Sequence, residues 1–405
     1  MSELKKYKLG DLGFFFGGVT TIGKEDYGHG TPFLPYKNVY KNSKVNVNEL
    51  ELMNIRPQDI ERRSAKYGDI FFTASSETPD EVAMSSVLLD DVKNLTYNGF
   101  CKRYRLNDFN TLLPEYARYL FRDINFRREV YQVATGDIRF NISQESLAKI
   151  EIEIPDVATQ AQLAEILMKL DDKIELNLQM NQTLETMAQA LFKEWCWVEE
   201  GIVPEGWTWK KLLDIADVSS SKRIFRDEYI LKGVPFYRGK EVTQLSNGEA
   251  ISTELFISEE RYAEIKEKFG VPQIGDILIT SVGTIGSVWL VDNDAPFYFK
   301  DGNVTWIKDY KTAINGEFVY QWLQTKEAKE QIKSVTIGST QQALTISALR
   351  GLNILIPDTE TVSNVCIQLE KINAKRINNL NQIQTLTQTR DTLLPKLMSG
   401  KLELV

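Results

Sequence analysis

Residues 163–195 read LAEILMKLDDKIELNLQMNQTLETMAQALFKEW, and within them Leu163, Leu170, Asn177, Leu184 and Leu191 fall seven apart. At a constant offset of 202 the same register returns as Val365, Ile372, Asn379, Leu386 and Leu393. A second set, Leu167, Ile174, Asn181 and Ala188, completes the a/d seam of a coiled coil, and its counterpart is Leu369, Arg376, Ile383 and Arg390. The spacing predicts a helix from about Thr159 to Trp195, about 55 Å long at the helical rise per residue. Asn177 and Asn379 either sit buried in the seam, where they fix register at some loss of stability, or lie half exposed where the helices splay. The two seam arginines make the second copy imperfect unless their side chains snorkel to its edge.

The repetition extends outward from the helices. Gly30-Thr31-Pro32-Phe33 with Lys37 and Val39 reappears as Gly233-Val234-Pro235-Phe236 with Lys240 and Val242. Gly68-Asp69-Ile70 returns as Gly275-Asp276-Ile277, and 136–155 ending IEIEIP returns as 338–357 ending LNILIP. A repeat of about 200 residues is long enough to hold its own core, unlike the short units of a solenoid. One globular unit plus one long helix is therefore present twice.

Each globular region carries apolar strands, such as IFFTAS at 70–75 and ILITSV at 277–282, then a helical segment at 114–132 or 316–334, then a strand stopped by Pro155 or Pro357. The expected fold is α+β. Two mixed α/β domains, 1–155 and 199–357, are separated by two long helices, 156–198 and 358–405. A pseudo-two-fold relation between the copies would pack the helices as an antiparallel coiled coil, with the domains at opposite ends of a rod of roughly 50 Å. That is about one and a half turns of B-DNA.

No apolar run reaches the roughly 18 residues of a membrane span, and MSELKKYK lacks the apolar core of a signal peptide, so a cytoplasmic protein is expected. Cys101, Cys196 and Cys366 form no CxxC pair, and His29 is the single histidine. Disulfide frameworks, cysteine zinc sites, multi-histidine metal sites and Ser-His-Asp triads are thereby disfavoured.

The net charge of −8 is localised: residues 151–200 hold 3 Lys+Arg against 11 Asp+Glu, while 1–150 hold 21 against 20 and 201–357 hold 18 against 20. A near-neutral domain binds nucleic acid through a few clustered cations. Arg62-Arg63 with Lys66, Lys102-Arg103 with Arg105, and Arg127-Arg128 are candidates, each otherwise a solvated face.

Two catalytic lookalikes fail the test of repetition. Gly18 to Lys24 satisfies G-x4-G-K, but Glu25 stands where a P-loop needs Ser or Thr to hold magnesium, and the second copy has Ser219-Ser220-Ser221-Lys222-Arg223 instead. Pro79-Asp80 with Asp91-Val92-Lys93 matches the PD…DxK pattern of magnesium nucleases, and Val291 to Asp294 in the second copy does not. The chain has no Pro-Pro pair, so the adenine-methyltransferase motif built on one is absent. No G-x-G-x-x-G follows a strand.

Taken in order, WKKLLDIADV at 209–218, Gly-Asp-Ile-Leu at 275–278, LNILIP at 352–357, LFKEW at 191–195 and LLPKLMSGKL at 393–402 resemble the specificity subunits of type I restriction-modification systems. The chain departs from that pattern at Gly13-Phe14-Phe15-Phe16 and in lacking a Glu-Gln pair within 362–367. The resemblance implies that 1–155 and 199–357 are target-recognition domains reading the two halves of a split double-stranded DNA sequence, with the helices as a ruler for the unread spacer. It implies two methylation subunits as partners, bringing S-adenosylmethionine, and motor-nuclease restriction subunits that use ATP and magnesium. No catalytic residue, cofactor or metal is expected in this chain.

Base readers are sought in loops between rigid strands, as Arg or Lys for guanine and Asn or Gln for adenine. The first copy offers Lys37, Asn38, Ser75, Ser76, Thr135, Gly136, Arg139 and Asn141. The second offers Arg238, Lys240, Ser281, Thr284, Ser339, Thr340, Gln341 and Gln342. Any of them can equally be a turn residue capping the next element. Two other readings compete: a magnesium-dependent nuclease using Asp80, Asp91 and Lys93, and a coiled-coil scaffold that bridges partner subunits without touching DNA.

Overall fold

The heptad stretches form helices Val157–Cys196 and Thr359–Met398. Both begin at a Pro-Asp step: Asp156 accepts from the Thr159 amide at 2.9 Å and Asp358 from the Thr361 amide at 3.0 Å. These backbone hydrogen bonds hold both carboxyls below the usual carboxylate range and satisfy amides that the first helical turn leaves open. The structure is a computed structural model and describes residues 4–20, 23–78, 81–136, 140–199, 202–249, 251–311, 313–338 and 342–399.

The chain divides into two units, Met1–Glu175 with Gln384–Val405, and Leu176–Ile383. Unit 1 holds a four-stranded antiparallel sheet in the order Gly13–Gly17, Cys101–Leu106, Ile70–Thr73, Ser85–Val87. Unit 2 has the same sheet as Asp217–Ser220, Val304–Lys308, Ile277–Thr280, Val288–Leu290. In each unit the Pro-Phe strand is the middle of a three-stranded sheet, with Phe33 opposite Thr96 and Phe236 opposite Tyr298 in parallel pairing. A closing pair completes each unit, Lys5–Lys8 with Glu151–Ile154 and Thr208–Lys211 with Asn353–Ile356. The sequence repeat is thus a repeat of topology.

Ile70–Thr73 and Ile277–Thr280 are buried throughout because both faces of the sheet are covered. Ile70 and Phe72 face Tyr116, Phe121 and Phe126, while Phe71 points the other way onto Leu34, Val39 and Tyr97. In unit 2, Ile277 and Ile279 face Phe318, Trp322 and Leu323, and Leu278 meets Phe236, Phe299 and Trp306. This is the period of two expected of a strand. Ahead of each strand, Gly68 (φ +82) and Gly275 (φ +91) supply the left-handed residue of a turn. The following aspartate ties that turn: Asp69 accepts from the Lys66 amide at 2.7 Å and Asp276 from the Gln273 amide at 2.9 Å. Arg105 completes the partners of Asp69, and the Trp306 indole those of Asp276. Burial pushes the Asp276 carboxyl above its ordinary value.

In unit 1, Leu163, Ala164 and Leu167 of the central helix join Leu397 and Met398 of the distal helix in the domain core. In unit 2, Ala188 and Phe192 pack with Val362, Val365 and Leu369, and the Phe192 ring lies 5.1 Å from that of Phe318. Asn177 and Asn379 are each 1% exposed, so both side chains are buried and not half exposed. Asn177 donates to Gln382 at 3.3 Å and Asn379 to Asn181 at 2.8 Å. Both seam arginines end on carboxylates, Arg376 on Asp292 at 3.3 Å and Arg390 on Asp171 at 2.8 Å. Among the described residues no helix is long and apolar enough to cross a membrane.

Candidate nucleic-acid interface

Three segments far apart in the sequence meet in unit 1. Ser75–Ser76 pairs antiparallel with Phe140–Asn141, with Ser75 opposite Asn141. Thr135 and Asn141 exchange two backbone hydrogen bonds, at 3.0 and 2.8 Å. Ala74 anchors the arrangement, its amide donating to the Phe100 carbonyl and its carbonyl accepting from the Ile142 amide. Thr135, Gly136 and Asn141 are exposed, and Ser75 and Ser76 are half-buried.

The helix Tyr36–Lys41 is tied to this cluster. The Tyr36 hydroxyl donates to the Ser75 carbonyl at 2.7 Å, and Glu81 accepts from Ser76 at 3.2 Å and from Tyr40 at 2.7 Å. Those hydroxyls, Tyr40 first, hold the Glu81 carboxyl below its ordinary range. Arg122 caps the far end of the helix, donating to the carbonyls of Val39, Tyr40 and Asn42. Lys37 stands exposed on this braced helix.

The same frame stands in unit 2 with different side chains. Ala343 bridges Val282 on one side and Ile337 on the other. Ser281 takes the place of Ala74, its amide donating to the Asn303 carbonyl and its carbonyl accepting from the Leu344 amide. The helix Gly239–Ser246 takes the place of Tyr36–Lys41, with Lys240 exposed as Lys37 is. The offsets of the repeat, 207 residues from Ser75 and 202 from Thr135 and Asn141, lead to Val282, Ile337 and Ala343, none of which is among the expected readers.

The structure brings together Lys37, Ser75, Ser76, Thr135, Gly136 and Asn141 in unit 1. In unit 2 Lys240, Thr284 and Gln342 are exposed, and Arg238 is half-buried against Glu241, donating to it at 2.9 Å. Arg139, Ser339, Thr340 and Gln341 lie outside the described residues, as does Asp80.

Two selected residues are corrected. Asn38 is 2% exposed and its amide is consumed by the loop it holds, donating to the Asn46 carbonyl and accepting from the Asn46 amide and from Asn42. Its counterpart Glu241 is likewise buried and caps its own helix by accepting from the Arg238 amide. Ser281 is 4% exposed and its hydroxyl shares a 2.7 Å hydrogen bond with Thr305. Neither side chain faces solvent.

The basic clusters are corrected too, since four of their eight cations are internal struts. Arg63 donates to the carbonyls of Gly17 and Gly18, the buried Arg103 to that of Ser64, and Arg127 to those of Val82 and Ala83. Arg105 clamps Asp69. Arg62, Lys66 and Arg128 remain exposed. Asp91 and Lys93 are exposed, and among the described residues no group of three or more His, Cys, Asp or Glu is placed to hold a metal ion.

Comparison with known proteins matches residues 1–186 and 204–395 to the model of the type I restriction modification DNA specificity domain, once per repeat. The type I restriction enzyme MjaIX specificity subunit of Methanocaldococcus jannaschii is 26% identical, over 99% of this chain and 93% of its own. The HindI specificity subunit of Haemophilus influenzae is 23% identical, over 99% and 100%. The crystal structure of a type I restriction-modification S subunit from M. genitalium shares the fold with a TM-score of 0.61 at 16% identity, covering 98% of this chain and 96% of that one.

Proposed function

Because the chain belongs to the type I restriction-modification DNA specificity family, we propose that its two units read the two halves of one bipartite double-stranded DNA target. The chain is the specificity subunit, which recognises the DNA, while catalysis resides in the methylation and restriction subunits it partners. In this reading residues 1–155 and 199–357 are the target-recognition domains. Residues 156–198 and 358–405 are a spacer, an antiparallel coiled coil that sets the distance between the half-sites. Asn177 meeting Gln382, and Asn181 meeting Asn379, support opposite helix directions. Two methylation subunits bring S-adenosylmethionine, and ATP and magnesium belong to the motor-nuclease subunits.

One observation carries the reading: the same three-segment cluster is built in both units, held by the same backbone bonds, with different side chains. A fixed frame with variable exposed side chains suits base-edge readout, in which sequence is discriminated by which donors, acceptors and apolar groups are presented. Half-buried serines and an exposed asparagine suit the first half-site, with Lys37 as a phosphate or guanine contact. The test is to exchange residues 31–150 for those of a relative with a different target and sequence the methylated sites in cells holding the methylation subunit. The first half of the motif is expected to change and the second to persist; an unchanged motif overturns the proposal.

A further inference from the structure

Resting on that reading, we infer that Val282 and Ile337 recognise thymine through its C5-methyl group in the half-site addressed by unit 2. In unit 1 the three equivalent positions carry Ser75, Thr135 and Asn141, all with hydrogen-bonding side chains. In unit 2 they carry Val282, Ile337 and Ala343, and none has one. Ile337 is 59% exposed and Val282 36%. Val282 follows just after the strand Ile277–Thr280, whose Ile277, Leu278 and Ile279 are fully buried.

A reader without donors or acceptors has one feature to grip in the major groove, the thymine methyl. The surroundings fit a base pair and its backbone. Gln342, exposed beside Ala343, carries the side chain that pairs with adenine, the partner of thymine. A Cβ on Gly239 would lie 3.6 Å from the Val282 carbonyl, so the segment bearing the exposed Lys240 adjoins the strip and offers a cation to the phosphates. The strip is therefore built for A·T pairs, where unit 1 is built for hydrogen-bond readout.

The test uses the full chain with its methylation subunits and duplexes carrying the motif found by methylation sequencing. Each thymine is replaced singly by deoxyuridine, which removes only the methyl, and affinity is measured at one salt concentration. At one or more positions in the second half-site binding is expected to weaken about fourfold, the loss of one buried methyl-sized group. That sensitivity should vanish in Val282→Ser/Ile337→Thr, which installs the side chains of unit 1, and, should the double variant not fold, in whichever of Val282→Ser and Ile337→Thr removes the contacting side chain. Equal affinity for every deoxyuridine duplex overturns the inference, as does a loss that persists in the variants, or a second half-site whose only A·T pair holds the methylated adenine. Exchanging residues 199–357 separates the two levels: if the second half of the motif does not follow the exchange, the reading of the units as DNA readers fails with it. If it follows and deoxyuridine has no effect, the methyl contact alone is wrong.

Discussion

Arg390 of the distal helix lies 2.8 Å from Asp171 of the central helix, within unit 1. Arg118 reaches the other oxygen of the same carboxylate at 2.6 Å, and the Tyr119 hydroxyl donates to it at 2.7 Å. One buried carboxylate thus pins the domain helix Pro114–Leu120 and both long helices to one another. Asp171→Ala takes the shared acceptor from Arg118, Tyr119 and Arg390, leaving Arg118 only Ser43 and Arg390 only Asp391, and is expected to destabilise unit 1 by about 3 kcal/mol, as breaking a buried pair does. Arg390→Ala leaves Arg118 and Tyr119 in place and should cost about 1 kcal/mol. Thermal melts of the two variants check the order; equal losses would contradict it.

The buried seam asparagines predict an opposite effect on stability. Replacing Asn379 by Leu removes a buried amide and is expected to raise the melting temperature, while loosening the register that the 2.8 Å contact with Asn181 enforces. If the helices set the half-site spacing, the variant should also methylate targets whose spacer is one base pair longer or shorter. Melting curves and methylation of a spacer series measure both outcomes.

Asn38 and Asn141 form a contrasting pair. Asn38→Ala removes three hydrogen bonds from a buried loop, so a loss of about 2 kcal/mol is expected with the methylated motif unchanged. Asn141→Ala, at an exposed position, should leave the melting temperature within about 1 °C. Its binding to the native site should fall about tenfold, with specificity relaxed at one base of the first half-site.

Asp59 gives a pH signature. Burial alone would raise its carboxyl, but hydrogen bonds and charges from Arg56 and Arg63 outweigh that and hold it below its ordinary range. A depressed carboxyl contributes stability above its unfolded value, near about 4, and loses it as pH falls through the folded value. Asp59→Asn should therefore destabilise the protein at pH 7 by about 2 kcal/mol, and the difference from the parent should shrink as pH drops below about 4. Denaturant titrations at a series of pH values test this.

The fold was legible because the repeat is dense in residues with one physical use. Gly68 and Gly275 mark left-handed turns, Pro155 and Pro357 end strands ahead of capping aspartates, and the heptads give the central helix to within two residues of its ends. The segments proposed to read DNA were legible as surface segments, because polar residues between buried strands have nowhere else to go. Individual side chains were not. Arg63, Arg103 and Arg127 look like solvated cations in sequence, and only the carbonyls of Gly17, Gly18, Ser64, Val82 and Ala83 reveal them as struts. Asn38, on the helix Tyr36–Lys41, and Ser281, just past the strand Ile277–Thr280, turn inward, a rotation that no spacing encodes. Val282 and Ile337 escaped notice because apolar residues signal core, and their exposure is a property of the folded surface.

Unit 2 is one uninterrupted stretch, Leu176–Ile383, whereas unit 1 needs Met1–Glu175 and then Gln384–Val405. A chain emerging from the ribosome can finish unit 2 while unit 1 still lacks Leu397 and Met398 from its core and Arg390 from Asp171. The part synthesised first is therefore completed last.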